Sequence, residues 1–141
     1  MPAINPYLNF PGTTEDAFNL YKSVFGGEFI AVMRFKDVPG IGDIRPEDQD
    51  KIMHIALPIG NNIIMATDAL ESMGQRLQKG NNQHICISAD SREQADQFFN
   101  ALAEGGKVEM PMEDMFWGDY FGSLQDRYGI NWILSYENKK S

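Results

Sequence analysis

The chain carries two histidines, His54 and His84, and one cysteine, Cys86, within apolar segments, and acidic residues close two such segments at Asp68 and Glu137. Two imidazoles with a carboxylate, His54 and His84 with Asp68 or Glu137, are the donor chemistry of a zinc or iron site. Without a metal, Asp68, Glu137 and His54 are acid–base candidates. Cys86 lies two residues from His84, which suggests a thiolate nucleophile paired with an imidazole. Neighbours at i and i+2 stand about 7 Å apart along a strand, too far for a direct hydrogen bond, so a small buried hydrophobe is the default reading of Cys86. Taken singly, His54 and His84 read as partly buried, hydrogen-bonded strand histidines.

Aromatic surface is concentrated late in the chain, at Trp117, Tyr120, Phe121 and Trp132. Such rings stack on a flat or hydrophobic ligand, and an indole N–H adds one directed hydrogen bond. Trp117, beside Gly118 and near Asp119, is the better pocket candidate, whereas Trp132 reads as core or interface. Met110, Met112 and Met115 suit an adaptable surface. Arg34, Arg45 and Arg127 are possible anchors for an anion, although single arginines are usually solvated.

Positioning these residues requires elements that the chain states twice. An extended stretch from Ile4 to Phe10 runs into an amphipathic helix stopped at Gly26 and Gly27. Roughly 79 positions on, His84 to Ala89 runs into another, stopped at Gly105 and Gly106. Ala17, Leu20, Tyr21, Val24 and Phe25 in the first helix match Ala95, Phe98, Phe99, Leu102 and Ala103 in the second, the spacing of one buried face. The Thr13 or Thr14 hydroxyl is the expected cap of the first helix, and Ser91 with Gln94 has capping-box spacing in the second.

Strands are expected over Glu28–Lys36, Lys51–Ile59 and Asn62–Asp68, the last two turning at Gly60-Asn61, then over Lys107–Met112, Gly118–Gln125 and Asn131–Glu137. A loop holds Pro39, Gly40, Gly42 and Pro46, and Asp126-Arg127-Tyr128-Gly129 is a turn. The expected organisation is one domain over residues 1–141. Module one covers 1–68, a mobile connector 69–81, module two 82–137 and a disordered tail 138–141. Alternation puts Asn5, Tyr7 and Asn9 on one face of the first strand and His84, Cys86 and Ser88 on the corresponding face of its copy. The opposite, apolar faces should pack on the helices, so the polar faces are expected to line a ligand cleft.

Twenty acidic residues against twelve basic give a net charge of −8, which disfavours nucleic acid and anionic membranes as partners. One cysteine permits no internal disulfide. The first ten residues lack a secretion-signal pattern, and no apolar run approaches the roughly 20 residues of a membrane span, so a cytoplasmic protein is expected.

Pro6-Tyr7-Leu8-Asn9-Phe10, Met65-Ala66-Thr67-Asp68, Phe116-Trp117-Gly118-Asp119-Tyr120-Phe121-Gly122 and Asp126-Arg127-Tyr128-Gly129-Ile130-Asn131-Trp132 resemble the PhnB-like branch of the vicinal oxygen chelate superfamily. That superfamily contains glyoxalases, extradiol dioxygenases and bleomycin-resistance proteins. The resemblance implies an α+β fold of two tandem βαβββ modules forming a curved mixed sheet around a cleft, with helices on its outer face. It also implies a homodimer, which would cover exposed edge strands.

Enzymes of the superfamily hold a divalent metal that acts as a Lewis acid on adjacent substrate oxygens. Carried over, the ligand positions fall near Asn5, Ile64 or Met65, His84 and Ile133, of which only His84 is a competent ligand. The resemblance therefore implies a small-molecule binding protein with no cofactor. The ligand would contact Asn5, Tyr7, Asn9, His54, His84, Cys86, Trp117 and Phe121. One alternative is a metal-dependent lyase or dioxygenase-type enzyme with a displaced metal at His84 and His54; another is a non-catalytic dimeric structural protein. A methyltransferase label common in the branch gains no support, because the glycine pairs follow helices instead of forming a strand-to-helix nucleotide loop.

Overall fold

A computed structural model describes residues 2–38, 44–70 and 77–138. Pro39, Gly40 and Gly42 of the expected loop, Gly74 of the expected connector, and the tail beyond Asn138 lie outside the described residues. The chain divides into two compact units, Met1–Gln78 and Lys79–Ser141.

In the first unit the elements are β1 (Tyr7–Phe10), α1 (Thr14–Phe25), β2 (Ala31–Arg34), β3 (Ile52–Ile59) and β4 (Asn62–Asp68), with short 3-10 turns at Phe35–Asp37 and Pro46–Asp48. Their sheet runs β1-β4-β3-β2, with β1 parallel to β4 and the other pairs antiparallel. The second unit repeats the order as β5 (Ile85–Ser88), α2 (Arg92–Ala103), β6 (Lys107–Asp114), β7 (Asp119–Gln125) and β8 (Asn131–Glu137). Its sheet runs β5-β8-β7-β6, with β5 parallel to β8. Hydrogen bonding thus gives each βαβββ module its own four-stranded mixed sheet, and the fold is α+β.

One face of each sheet carries a helix. The α1 helix packs on β3 and β4 through Ala17, Phe18 and Tyr21, all fully buried, and Phe18 meets Tyr21 edge-on at 5.5 Å between ring centroids. The α2 helix packs on β6, β7 and β8 through Ala95, Phe99 and Leu102, above Leu124, Trp132 and Leu134. Fully burying a side chain of this size contributes about 1.5–3 kcal/mol, so these faces fix which side of each sheet remains open.

Two local expectations are corrected. The strand expected over Glu28–Lys36 is confined to β2: its register with β3 shifts between Met33 and Arg34, Arg34 still pairs with Ile52, and Phe35 then begins a 3-10 turn. The α1 helix is not capped by its own threonines. Thr13 makes no side-chain cap bond, while the Thr14 N–H and hydroxyl both donate to Asp68 Oδ1, at 3.0 and 2.6 Å. The α2 cap is as expected: Ser91 Oγ accepts from the Gln94 N–H at 3.0 Å.

Candidate functional site

Strand pairing places each candidate side chain on a definite face. On β1, Tyr7 is in register with Met65 and Phe10 with Asp68. Phe10 is in the core under α1, so Asp68 lies on the helix side with Ile64 and Ala66. Asp68, a metal-donor and acid–base candidate by sequence, therefore does not reach the open side. Its Oδ1 accepts the two Thr14 bonds and its Oδ2 accepts from the Ile52 N–H at 2.8 Å, with the residue only 2 % exposed. This carboxylate ties the start of α1 to β3.

The open face of module one carries Tyr7, Asn9, Met65, Thr67, Ala56 and His54. His54 pairs with Met33 on β2, and its ring lies 6.2 Å from the half-exposed Tyr7 ring at an interplanar angle of 25°. Asn5 serves the backbone: its Oδ1 accepts from the Ile63 N–H at 2.9 Å.

Module two presents a fuller grid. Across the sheet one row reads Ser88, Ser135, Phe121, Glu113, and the next reads Cys86, Ile133, Ser123, Met110. Asp119 pairs with Glu137 at one end of this face. At the other end His84 Nε2 lies 3.0 Å from Glu109 Oε1. His84 precedes β5 and Glu109 is on β6, the two edges of the sheet. Four strands spaced about 4.8 Å apart would hold these edges some 14 Å apart if flat. The His84–Glu109 contact spans the two intervening strands. Glu109 sits where the β6 register shifts between Val108 and Met110, and such a bulge re-aims a side chain.

Cys86 is exposed, which departs from the buried-hydrophobe reading. Enclosure by its neighbours and the Asp119 carboxylate both push its thiol above the ordinary value, the opposite of what a thiolate nucleophile needs. Trp117 is half exposed and donates its indole N–H to Asp119 Oδ2 at 2.9 Å. Its ring meets Phe121 edge-on at 5.7 Å and Phe116 at 5.1 Å, and Phe116 is 97 % exposed. Trp132 is core: it is fully buried and donates to Asp126 Oδ2 at 2.8 Å.

The loop carboxylate of Asp126 also accepts from the Tyr128 and Ile130 N–H groups, so the expected turn is an Asx-type turn. Of the arginines, Arg34 is not simply solvated. It grips Glu15 through two nitrogens, at 3.1 and 2.7 Å.

The donor set does not suit a divalent metal. At the positions that hold it in the superfamily, the Asn5 oxygen serves the Ile63 N–H, Met65 offers a thioether, Ile133 offers nothing, and His84 is engaged by Glu109. Within neither unit do three His, Cys, Asp or Glu side chains converge among the described residues. Glu109, Glu113 and Asp119 were missed as site residues by sequence reasoning. Only the alternation of β6 and β7 could have signalled them, and the bulges in β6 break that alternation.

Two helix-backed βαβββ sheets with polar open faces define a class, and the chain belongs to the Glyoxalase/Bleomycin resistance protein/Dioxygenase superfamily, whose model matches residues 3–134. Within it the chain falls in the PhnB-like branch. It is similar to protein PA1353 from Pseudomonas aeruginosa, at 35% identity and a TM-score of 0.88 over 99% of this chain and 100% of that one. The PhnB protein from Bacillus cereus is 25% identical, with a TM-score of 0.76 over 96% and 99% of the two chains. Protein YjdN of Escherichia coli K12 is 27% identical over 94% of this chain and 93% of its own length. Among the described residues no helix is long and apolar enough to cross a membrane.

Proposed function

We propose that this protein binds a small organic molecule on the open face of its sheets and does so without the superfamily's metal. The observation that carries the reading is the state of the ligand positions. Two side chains there are apolar or weak donors, Asn5 is spent on backbone, and the one imidazole is held by a carboxylate. What the open face of module two offers instead is aromatic surface at Trp117 and Phe121 with the hydroxyls of Ser88 and Ser135, the mixture of apolar area and a few directed polar groups that small-molecule sites use. A cytoplasmic homodimer belongs to the same proposal, supported by β6, an almost wholly exposed edge strand. Sedimentation velocity tests the dimer.

The test of the binding reading uses protein purified without a histidine tag. Elemental analysis should find no stoichiometric metal, and zinc, nickel, manganese and iron should leave the thermal midpoint unmoved, whereas aromatic ligands should quench the exposed Trp117 and spare the buried Trp132. About one metal per chain, lost in His84→Ala, would instead support the metal-dependent lyase or dioxygenase alternative. A metal-free acid–base enzyme is favoured by one observation, the His84–Glu109 contact, since a carboxylate on one ring nitrogen orients the imidazole and leaves the other free. Turnover lost in Glu109→Gln would identify it.

A further inference from the structure

We infer that the Asp119 end of the open face of module two selects an organic cation with an aromatic or apolar body; the inference deepens the binding reading above and rests on it. Asp119 and Glu137 stand directly opposite one another on β7 and β8, and like charges so paired repel. Glu113 joins the next row, in register with Phe121. Among the described residues none of these three carboxylates has a lysine, arginine or histidine within ion-pair distance. The rows themselves contain no lysine or arginine: they read Ser88, Ser135, Phe121, Glu113 and Cys86, Ile133, Ser123, Met110. Arg92, at the start of α2, is committed on the opposite, helix-covered face. There Arg92 is bonded to Asp114 at 2.6 Å and stacked 3.9 Å over Tyr120.

Beside this charge, which no described basic residue neutralises, stands exposed aromatic surface. Trp117 is 50% exposed, and its indole plane is fixed by the bond to Asp119 and by the edge-on contact with Phe121. With its N–H already spent on Asp119, the group Trp117 still offers a ligand is its ring face, the strongest cation–π surface among side chains. The occupant is committed by charge complementarity. An anion is repelled by three carboxylates, and a neutral aromatic leaves the Asp119–Glu137 repulsion in place. A cation on an aromatic or alkyl body meets both features at once. A bare metal ion is excluded by the spacing, because the described residues bring no three such donors together.

Isothermal titration calorimetry with N-methylquinolinium, quinoline and naphthalenesulfonate, near neutral pH and low salt, separates charge from shape with three bodies of similar size. N-methylquinolinium should bind about tenfold or more tightly than quinoline, and its affinity should fall as salt is added. In the triple variant E113Q/D119N/E137Q that advantage should shrink by about fivefold or more while quinoline affinity stays, which also reports that the face is intact. Trp117→Leu should weaken both. A cation bound no better than quinoline, or a preference undiminished in E113Q/D119N/E137Q, overturns the inference and leaves the binding reading standing. Failure of all three probes overturns both.

Discussion

Removing the Asp68 carboxylate leaves the Thr14 and Ile52 N–H groups in a buried site without their acceptor, and Asp68→Ala is expected to cost roughly 3 kcal/mol, read from the urea midpoint. Glu137→Gln, on an exposed side chain, should move the same midpoint by less than about 0.5 kcal/mol. The two acids looked alike in sequence because each ends an apolar run. They differ by strand parity, and a one-residue slip in reading β4 exchanges the core face for the open one. Counting in twos from Ile64 reaches Asp68 on the core face, while counting from Met65 reaches Thr67 and the Tyr7 side. Cys86 gives a second residue-level test. Because its thiol is held above the ordinary value, its alkylation by iodoacetamide should rise with pH later than that of a free thiol, and Asp119→Asn should bring the rise earlier. An early rise in the unmodified protein would count against this placement of Asp119.

Each module staples the start of its helix to its sheet with an arginine, in opposite senses. In module one Glu15 is on the helix and Arg34 on the strand; in module two Arg92 is on the helix and Asp114 on the strand. The hydrogen bond from Arg34 holds the Glu15 carboxyl below its ordinary value, and Arg92 and Asn138 do the same for Asp114. A carboxyl depressed in the folded state contributes stability above its unfolded value and loses it as pH falls through the folded one. The stability gap between the native protein and Arg34→Met, under about 1 kcal/mol for a part-exposed pair, should therefore be present at neutral pH and close as pH falls below the ordinary glutamate range.

Close approach sets a different limit. A Cβ on Gly106 would stand 2.9 Å from the Asp126 backbone, which cannot swing aside, so Gly106→Ala should cost about 2 kcal/mol or more by thermal melting. Gly26→Ala, in open space with a φ of 81°, should cost nearer 1 kcal/mol. Elements of this kind were legible where periodicity and capping were strong: both helices, β4 and β8 match their expected spans. Strand β2 was not, because the register shift at Met33/Arg34 and the 3-10 turn that follows leave no mark in residue types. Neither was the pairing of Glu109 with His84, which joins opposite edges of one sheet.

At the scale of the whole molecule the duplication was the most legible feature, since two copies of one pattern can be aligned without any knowledge of contacts. What the copies do not share is how each begins its helix. The α2 helix is closed by Ser91 and Gln94, three residues apart, whereas α1 is closed by Asp68 from 54 residues away. A local cap can form as soon as its turn does, but a remote one must wait for β4 to be in place, with the entropy of a long loop already lost. The two helices should then enter the folding reaction at different moments. Ser91→Ala is expected to slow refolding, and Asp68→Ala chiefly to speed unfolding, as the arms of a chevron plot would show. The two similarly patterned halves would thus be distinguished by order in time, with the second module the better placed to nucleate the chain.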